Sequence, residues 1–342
     1  MIKVKIHNPF LNRNEPTFRP LIFVKDILRD YSIELTESDD FDYMFIGMND
    51  FIDKKISLKD SIDWGLDNID KISDGGDYFL FDGSDSHSLM GAIEVFRDSN
   101  AIHLFKNQLH KNKDDYKISK SFNKWFFGEN NRLDLSYNIS DKTWNNIKLT
   151  GWNMMANVPS HKEYLNINKN KTIDVCAIFG SGDSDKKGYD HTIQNDDLYK
   201  QHRKDIFDVV EKLSKKYNVI YGRKPFQEYM KILYNSKVCI SPFGMGEIRQ
   251  GDGEAVQLGT TICKENMSRY DFGSNVWEEN KTYLPFNYDC SDLYDVLETF
   301  INNYNEDIIN NMRETYLREY HSDKLCERWY NIFKKLSSVD YE

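Results

Sequence analysis

The stretch KVCISPFGMGEIRQGDGEAVQLGTTICK, residues 237–264, decides the fold that the sequence predicts. Its apolar run at residues 238–241 predicts a buried parallel strand. The glycine-rich turn at residues 242–246 follows, and glycine allows a backbone to take positive φ and to lie close to a ligand. A helix is predicted from near Glu247 to Gly259, a typical C′ residue, with another strand at residues 260–263. This order is typical of a nucleotide-binding half-unit, in which a helix N-terminus faces a diphosphate.

Three carboxylates lie in or beside the predicted helix. Glu247 follows the turn directly, and Glu254 lies about two helical turns later on the same predicted face. Asp252 precedes Glu254 by two residues. Taken singly, Glu247 is equally well interpreted as a helix cap and Glu254 as a solvated surface charge. The combination of strand, glycine turn and spaced acids favours a ligand site.

The segment GMGEIRQGDGEAVQLGTTICK resembles the donor-binding signature of GT-B glycosyltransferases, especially the exostosin-like and group 1 types. The resemblance covers residues 171 to about 292. It implies that Glu254 holds the ribose of a nucleotide sugar, UDP- or GDP-linked, and that Gly246 and Glu247 lie by the sugar and the diphosphate. Many relatives carry an arginine where this chain has Gly251, and Arg249 is the candidate to replace its charge.

The other predicted strand ends of the second half contribute further candidates, because ligands of open α/β sheets bind at the carboxyl ends of the strands. Strands are predicted at residues 172–179 and 219–221. Their exits supply backbone amides and cationic side chains, and arginine suits a bidentate contact with phosphate. The Arg223 and Lys224 pair is equally consistent with an exposed loop. The predicted nucleotide-sugar-binding residues are Gly180, Ser181, Tyr221, Arg223, Lys224, Phe243, Gly244, Gly246, Glu247, Arg249, Asp252 and Glu254.

In the first half, predicted strands at residues 2–6, 43–47, 78–81 and 101–106 alternate with helices, which indicates a parallel, doubly wound sheet. The strand at 78–81 runs into DGSDSH, residues 82–87. Glycosyl transfer with inversion needs a base for the acceptor hydroxyl. Asp85 is the first candidate, followed by Asp82 and His87, although an Asx-turn explains each aspartate as well. His7 and Glu247 are further catalytic candidates, whereas His103, in an apolar strand, is predicted to be a core residue.

The resulting fold class is α/β, with two Rossmann-like domains in GT-B arrangement. The predicted domains are an acceptor-side domain at 1–168, a donor domain at 169–318 and a C-terminal helix at 319–342. The resemblance implies that this helix packs back on the first domain. A chain of 342 residues is long enough for two such cores.

Composition limits the partners and the compartment. The net charge of −10 argues against a nucleic-acid partner. Five cysteines without C-x-x-C spacing favour a reducing compartment. The sequence has no signal-peptide pattern and no apolar run of ~18 residues, so we expect a soluble cytoplasmic protein without a transmembrane segment. The oligomeric state stays open.

The sequence DSD at residues 183–185 has the D-x-D spelling of metal-dependent glycosyltransferases. In a chain this rich in acids, chance explains it better, so we expect neither a metal nor any other cofactor. The predicted function is metal-independent transfer of a hexosyl or pentosyl group from a nucleotide sugar to a glycan or other hydroxyl acceptor, in glycan biosynthesis. The alternatives are a nucleotide-sugar epimerase of the same architecture and a non-catalytic two-lobed nucleotide-sugar-binding protein.

Overall fold

A computed structural model describes residues 1–7, 18, 21–22, 24–48, 58–83, 87–89, 91–118, 138–151, 167–180, 197–244 and 246–339. The chain separates into two compact units. The first comprises Met1–Asn153, Tyr270–Ser274 and Glu319–Glu342. The second comprises Met154–Arg269 and Asn275–Arg318.

The first unit is built on a six-stranded parallel sheet with the strand order β2-β1-β3-β4-β5-β7. Strand β4 is buried along its whole length, because its first four residues, YFLF, are apolar on both faces and its last residue, Asp82, pairs with the buried Lys106. A short antiparallel pair, β6 with β12, brings the stretch beginning at Tyr270 into this unit. The strands are β1 Ile2–His7, β2 Ile33–Thr36, β3 Tyr43–Gly47, β4 Tyr78–Asp82, β5 His103–Lys106, β6 Leu109–His110, β7 Ile147–Leu149 and, later in the chain, β12 Tyr270–Asp271.

Helices cover this sheet and include the last helix of the chain. They are α1 Lys25–Leu28, α2 Leu58–Ser73, α3 Ala92–Asp98, α4 Asp141–Asn145 and α10 Ser322–Val339, with 3-10 turns at Arg29–Tyr31 and Lys113–Ile118. Helix α10 is amphipathic, and its Trp329 is fully buried. The indole of Trp329 lies 5.3 Å from the ring of Phe45 and 4.9 Å from that of Phe105. These aromatic contacts dock α10 onto the first sheet.

The second unit contains a five-stranded parallel sheet with the order β13-β11-β10-β8-β9. From β8 the chain adds β9 on one side and β10 on the other, so the strand order reverses between β8 and β10. Ligands of open α/β sheets bind at such a switch point. The strands are β8 Ile173–Ala177, β9 Val219–Tyr221, β10 Ser236–Ile240, β11 Thr261–Glu265 and β13 Leu284–Phe286; the helices are α5 Asp197–Ser214, α6 Phe226–Asn235, α7 Gln250–Gln257, α8 Leu293–Asn302 and α9 Asp307–Tyr320.

The two parallel sheets with alternating helices confirm the predicted α/β class with two Rossmann-like sheets. Gly259 has φ +72°, which confirms it as the C′ glycine of α7. The predicted start of this helix is wrong. Arg249 is its N-cap, in extended conformation, and α7 begins at Gln250. Since Glu247 lies outside the helix, the prediction that it shares a helix face with Glu254 is also wrong.

Among the described residues, no helix combines the length and the apolar character needed to cross a lipid bilayer.

Candidate functional site

The glycine turn follows β10 at the switch point of the second sheet, and hydrogen bonds within the protein hold it in place. The amide of Phe243 donates to both carboxylate oxygens of Glu265, at 3.0 and 3.1 Å. The amide of Gly244 donates to the carbonyl of Gly246 at 3.0 Å. These two amides are therefore occupied within the protein, and they fix the shape of the turn rather than offering themselves to a diphosphate.

Asp252, a predicted ligand-binding residue, lies in a fully buried network behind the turn. Its Oδ2 accepts from the Arg249 amide at 2.8 Å and lies 3.1 Å from the Nζ of Lys264, and its Oδ1 accepts from the Ser241 hydroxyl. Lys264 also donates to the Ser241 carbonyl at 3.0 Å and lies over the Phe243 ring. Lys264 and Asp252 are completely buried, so their charges compensate each other in a dry environment. This network ties the strand ends, the turn and the helix start together.

Glu254 is buried with 5% of its surface exposed, so the interpretation as a solvated helix charge is wrong. Its Oε2 accepts from the Tyr229 hydroxyl at 2.7 Å, and its Oε1 accepts from the Gln250 side chain at 3.2 Å. Burial raises the pKa of the Glu254 carboxyl group. The hydrogen bonds from Tyr229 and Gln250 and the nearby charge of Arg249 lower this pKa, but burial has the larger effect. Each carboxylate oxygen can accept about two hydrogen bonds. Among the described residues each accepts one side-chain hydrogen bond, so a position on each remains for a ligand hydroxyl.

Arg249, the N-cap of α7, supplies a positive charge near Glu254, and these two residues form one corner of the candidate site. Its side chain passes Gly244, at which an added Cβ would lie 3.6 Å from the Arg249 Cγ. Within the described residues, its guanidinium has no hydrogen-bond partner. A half-buried guanidinium beside a buried carboxylate places both signs of charge at the start of one helix. This pairing suits a ligand that carries hydroxyl groups and a phosphate.

The other predicted site residues of the second unit end or follow strands β8, β9 and β10. Glu247 is almost fully buried. Tyr221, which ends β9, is 41% exposed, and Arg223 is exposed. Lys224 lies 3.4 Å from Glu228 in a surface pair of little energetic weight. The Gly180 carbonyl accepts from Arg203 at 2.6 Å, and Ser181 lies outside the described residues. The structure thus sets the described residues of this group at or just beyond the carboxyl ends of β8, β9 and β10, while their ligand contacts stay predictions.

His202, Glu265 and Tyr229 were missed by the sequence-based site prediction. His202 is buried, and its ring stacks on that of Tyr288 with the ring centroids 4.4 Å apart. Its Nε2 hydrogen bonds with Glu265, the acid that also accepts from the Phe243 amide. No local sequence signal links these partners, because 63 residues separate His202 from Glu265 and 25 separate Tyr229 from Glu254.

In the first unit, the base candidates lie at the end of β4 and in the segment that follows it. The Oδ2 of Asp82 accepts from the Nζ of Lys106 at 2.7 Å, and both side chains are buried. The ring of His87 lies 4.1 Å from that of His110 and 5.2 Å from that of Tyr270. Asp85 lies outside the described residues. The assignment of a base stays a prediction.

His7 ends β1 and His103 begins β5 of the first sheet. Burial lowers the pKa of the His7 side chain at the end of β1. His103 is buried as predicted, and burial lowers its pKa to about 4. The DSD stretch at 183–185 lies outside the described residues. Among those that are described, no group of three or more His, Cys, Asp or Glu side chains is arranged to hold a metal ion.

Comparison with solved structures finds similar chains over nearly the full length. An alpha-glucosyltransferase in complex with UDP and a 13-mer DNA is 10% identical, with a TM-score of 0.47 over 97% of this chain and 99% of that one. The Anabaena protein HepE, in complex with UDP, is 12% identical, with a TM-score of 0.44 over 99% and 100% of the two chains. A putative UDP-N-acetylglucosamine 2-epimerase from Listeria monocytogenes is 11% identical, with a TM-score of 0.46 over 96% and 94%.

These neighbours include glycosyltransferases, the class that the sequence resemblance indicated. No family model matches the chain, and no curated protein matches it. The case for a function therefore rests on this chain's own residues.

Proposed function

We propose that the protein is a glycosyltransferase that takes a sugar from a nucleotide-sugar donor bound by the second unit. The observation that carries the proposal is Glu254, a buried carboxylate with both oxygens oriented, next to the guanidinium of Arg249 at the switch point of a parallel sheet. A glutamate that served only as a solvated charge on a helix surface would be exposed, and two side chains would not donate hydrogen bonds to it.

The carboxylate of Glu254 accepts hydrogen bonds from the ribose hydroxyls of the donor. The exposed ring of Tyr221, at the end of β9, offers a face to the nucleobase. Arg249, Arg223 and Lys224 supply positive charge for the diphosphate. In the reaction, the bond between the anomeric carbon and the diphosphate oxygen breaks, and a bond forms to the acceptor oxygen. Cations placed where negative charge develops on the leaving diphosphate lower the barrier.

The proton of the acceptor hydroxyl goes to a base if transfer inverts the anomeric carbon. Asp85, Asp82 and His87 are the candidates, and of the three Asp82 already accepts from a buried lysine. The acceptor is a glycan or another hydroxyl compound, and the transferred group is a hexosyl or pentosyl unit. The proposal includes action without a metal, since cationic side chains take over the stabilisation of the diphosphate.

The first test is thermal denaturation with UDP, GDP and ADP and with their glucose conjugates. A ligand that binds only the folded state at 100 times its Kd stabilises that state by about 2.7 kcal/mol, so a true donor raises the Tm by several degrees. Glu254→Ala abolishes this shift. Glu211→Ala, at an exposed acid of α5, keeps it.

Absence of a shift with every nucleotide overturns the proposal. A donor that is consumed only when an acceptor is added identifies a transferase, whereas conversion of the sugar without an acceptor identifies an epimerase. Binding without turnover under either condition identifies a non-catalytic binding protein.

A further inference from the structure

The Tyr229 hydroxyl lies between two features of the candidate site, Glu254 and Gly251. It donates to the Oε2 of Glu254 at 2.7 Å. A Cβ added at Gly251 would lie 2.9 Å from the same hydroxyl oxygen, closer than real Cβ atoms approach. One oxygen atom thus orients the carboxylate and fills the space that a side chain at position 251 would need.

Helix α6 fixes the place of this hydroxyl. Met230 and Leu233 are buried under the helix, and the amide of Tyr229 donates to the Pro225 carbonyl at 2.9 Å in its first turn. Burial raises the pKa of Tyr229, so its hydroxyl keeps its proton and acts as a donor. The tyrosine therefore comes from a firmly packed element, and the hydrogen bond to Glu254 costs little additional ordering.

We propose that Tyr229 is a positioning residue that aims the Glu254 carboxylate at the ribose of a bound nucleoside diphosphate, and that Gly251 is required because the tyrosine hydroxyl occupies its side-chain space. The inference rests on the proposed function for its ligand. Tyr229 acts through Glu254 and needs no contact with the nucleotide. With Tyr229 and Gln250 each on one oxygen, the carboxylate is held in a single orientation before the ligand arrives.

The test compares Tyr229→Phe, Gly251→Ala and the double variant by calorimetric titration with UDP and with 2′,3′-dideoxy-UDP. Tyr229→Phe weakens UDP binding about tenfold, because the carboxylate loses its donor and its orientation. The affinity for 2′,3′-dideoxy-UDP stays the same, because that ligand has no ribose hydroxyl for Glu254 to bind. A general loosening of the site would weaken both ligands equally and would overturn the inference. Tyr234→Phe, on the same helix, is the matched control and leaves both affinities unchanged.

Gly251→Ala alone lowers the melting temperature by about 3 °C, because the new Cβ displaces the tyrosine hydroxyl. In the Tyr229→Phe background, the same substitution has almost no effect, since the phenylalanine lacks the oxygen that the Cβ would meet. Equal losses in both backgrounds overturn the link between the two residues. This measurement needs no nucleotide, so it judges the packing independently of the function.

Glu254→Gln separates the two proposals. If UDP binds and Glu254→Gln weakens it while Tyr229→Phe does not, the positioning role fails and the proposed function stands. If no nucleotide binds the native protein at all, both the proposed function and the positioning role fail.

Discussion

Both units place a lysine and an aspartate, both buried, at the carboxyl end of the sheet, but the two pairs connect different things. In the first unit, Asp82 ends β4 and Lys106 ends β5, and these two residues are direct neighbours in the sheet register. In the second unit, Lys264 of β11 reaches across to Asp252 in helix α7 and to the carbonyl of Ser241. The first pair joins two strands that are already hydrogen-bonded. The second joins strand β11 to helix α7 and to the start of the glycine turn.

This difference indicates how each sheet edge is used. A pair within the sheet adds to a structure that the backbone already determines. A pair that crosses from strand to helix decides where the helix begins and how the glycine turn lies. The part of the protein in which a buried ion pair ties a strand to a helix is therefore the part that we propose to hold the nucleotide.

The strongest test of this contrast removes each lysine. Lys264→Met leaves the fully buried Asp252 without its cation and lowers the free energy of unfolding by about 3–5 kcal/mol. Lys106→Met lowers it by about 2–3 kcal/mol, because Asp82 retains some contact with solvent. Chemical denaturation measures both. Among the molecules that remain folded, the affinity for UDP falls only in Lys264→Met.

The double variant Lys264→Met/Asp252→Asn is the control for charge. It regains much of the lost stability, since no uncompensated charge stays buried. If the double variant is as unstable as Lys264→Met alone, the loss comes from packing, and the contrast between the two pairs fails.

A smaller effect is expected from two glycines that end helices in the two units. Gly259, after α7, has φ +72°, and an added Cβ would lie 3.1 Å from Ile167. Gly75, after α2, has φ +74° and no neighbour within 4 Å among the described residues. Gly75→Ala costs about 1 kcal/mol for the left-handed backbone alone, and Gly259→Ala costs about 2–3 kcal/mol because crowding is added. Equal losses of unfolding free energy would show that the two helix ends are packed alike.

The smallest effect concerns pH and the first unit. Burial lowers the pKa of His103 to about 4, whereas an unfolded chain protonates histidine near pH 6.5. Between these values the unfolded state binds more protons, so this histidine makes the folded state less stable as the pH falls from about 6.5 to 4. Each unit of pKa difference is worth about 1.4 kcal/mol, so the contribution is on the order of 1 kcal/mol.

His103→Phe removes this part of the pH dependence in denaturation curves at pH 7 and pH 4.5. His321→Asn, at an exposed position after α9, leaves it in place. An unchanged slope in His103→Phe would assign the pH dependence to other groups.

Much of the fold was predictable from the sequence, because apolar runs such as those of β4, β8 and β10 identify buried parallel strands by themselves. The start of α7 was not predictable in the same way. The sequence pattern predicted a helix start near Glu247. In the structure the amide of Arg249 donates to the Asp252 carboxylate, and the helix begins at the next residue, Gln250. The cap depends on Asp252, which Lys264 and Ser241 hold in place from other elements.

In the candidate site, too, some residues were predictable from the sequence and others were not. Glu254 and Arg249 were selected from the sequence, and the structure sets them at one corner. Tyr229, His202 and Glu265 were not selected, since each acts through a partner far away in the chain.

The sequence by itself determined two parallel α/β sheets and the glycine turn, because hydrophobic periodicity and glycine are local properties of the chain. Only the tertiary structure decided which acid is oriented by a tyrosine, which lysine is buried beside an aspartate and why residue 251 has no side chain. These are contacts between distant segments, and their energy depends on burial and on distances of a few ångströms, which no local pattern encodes.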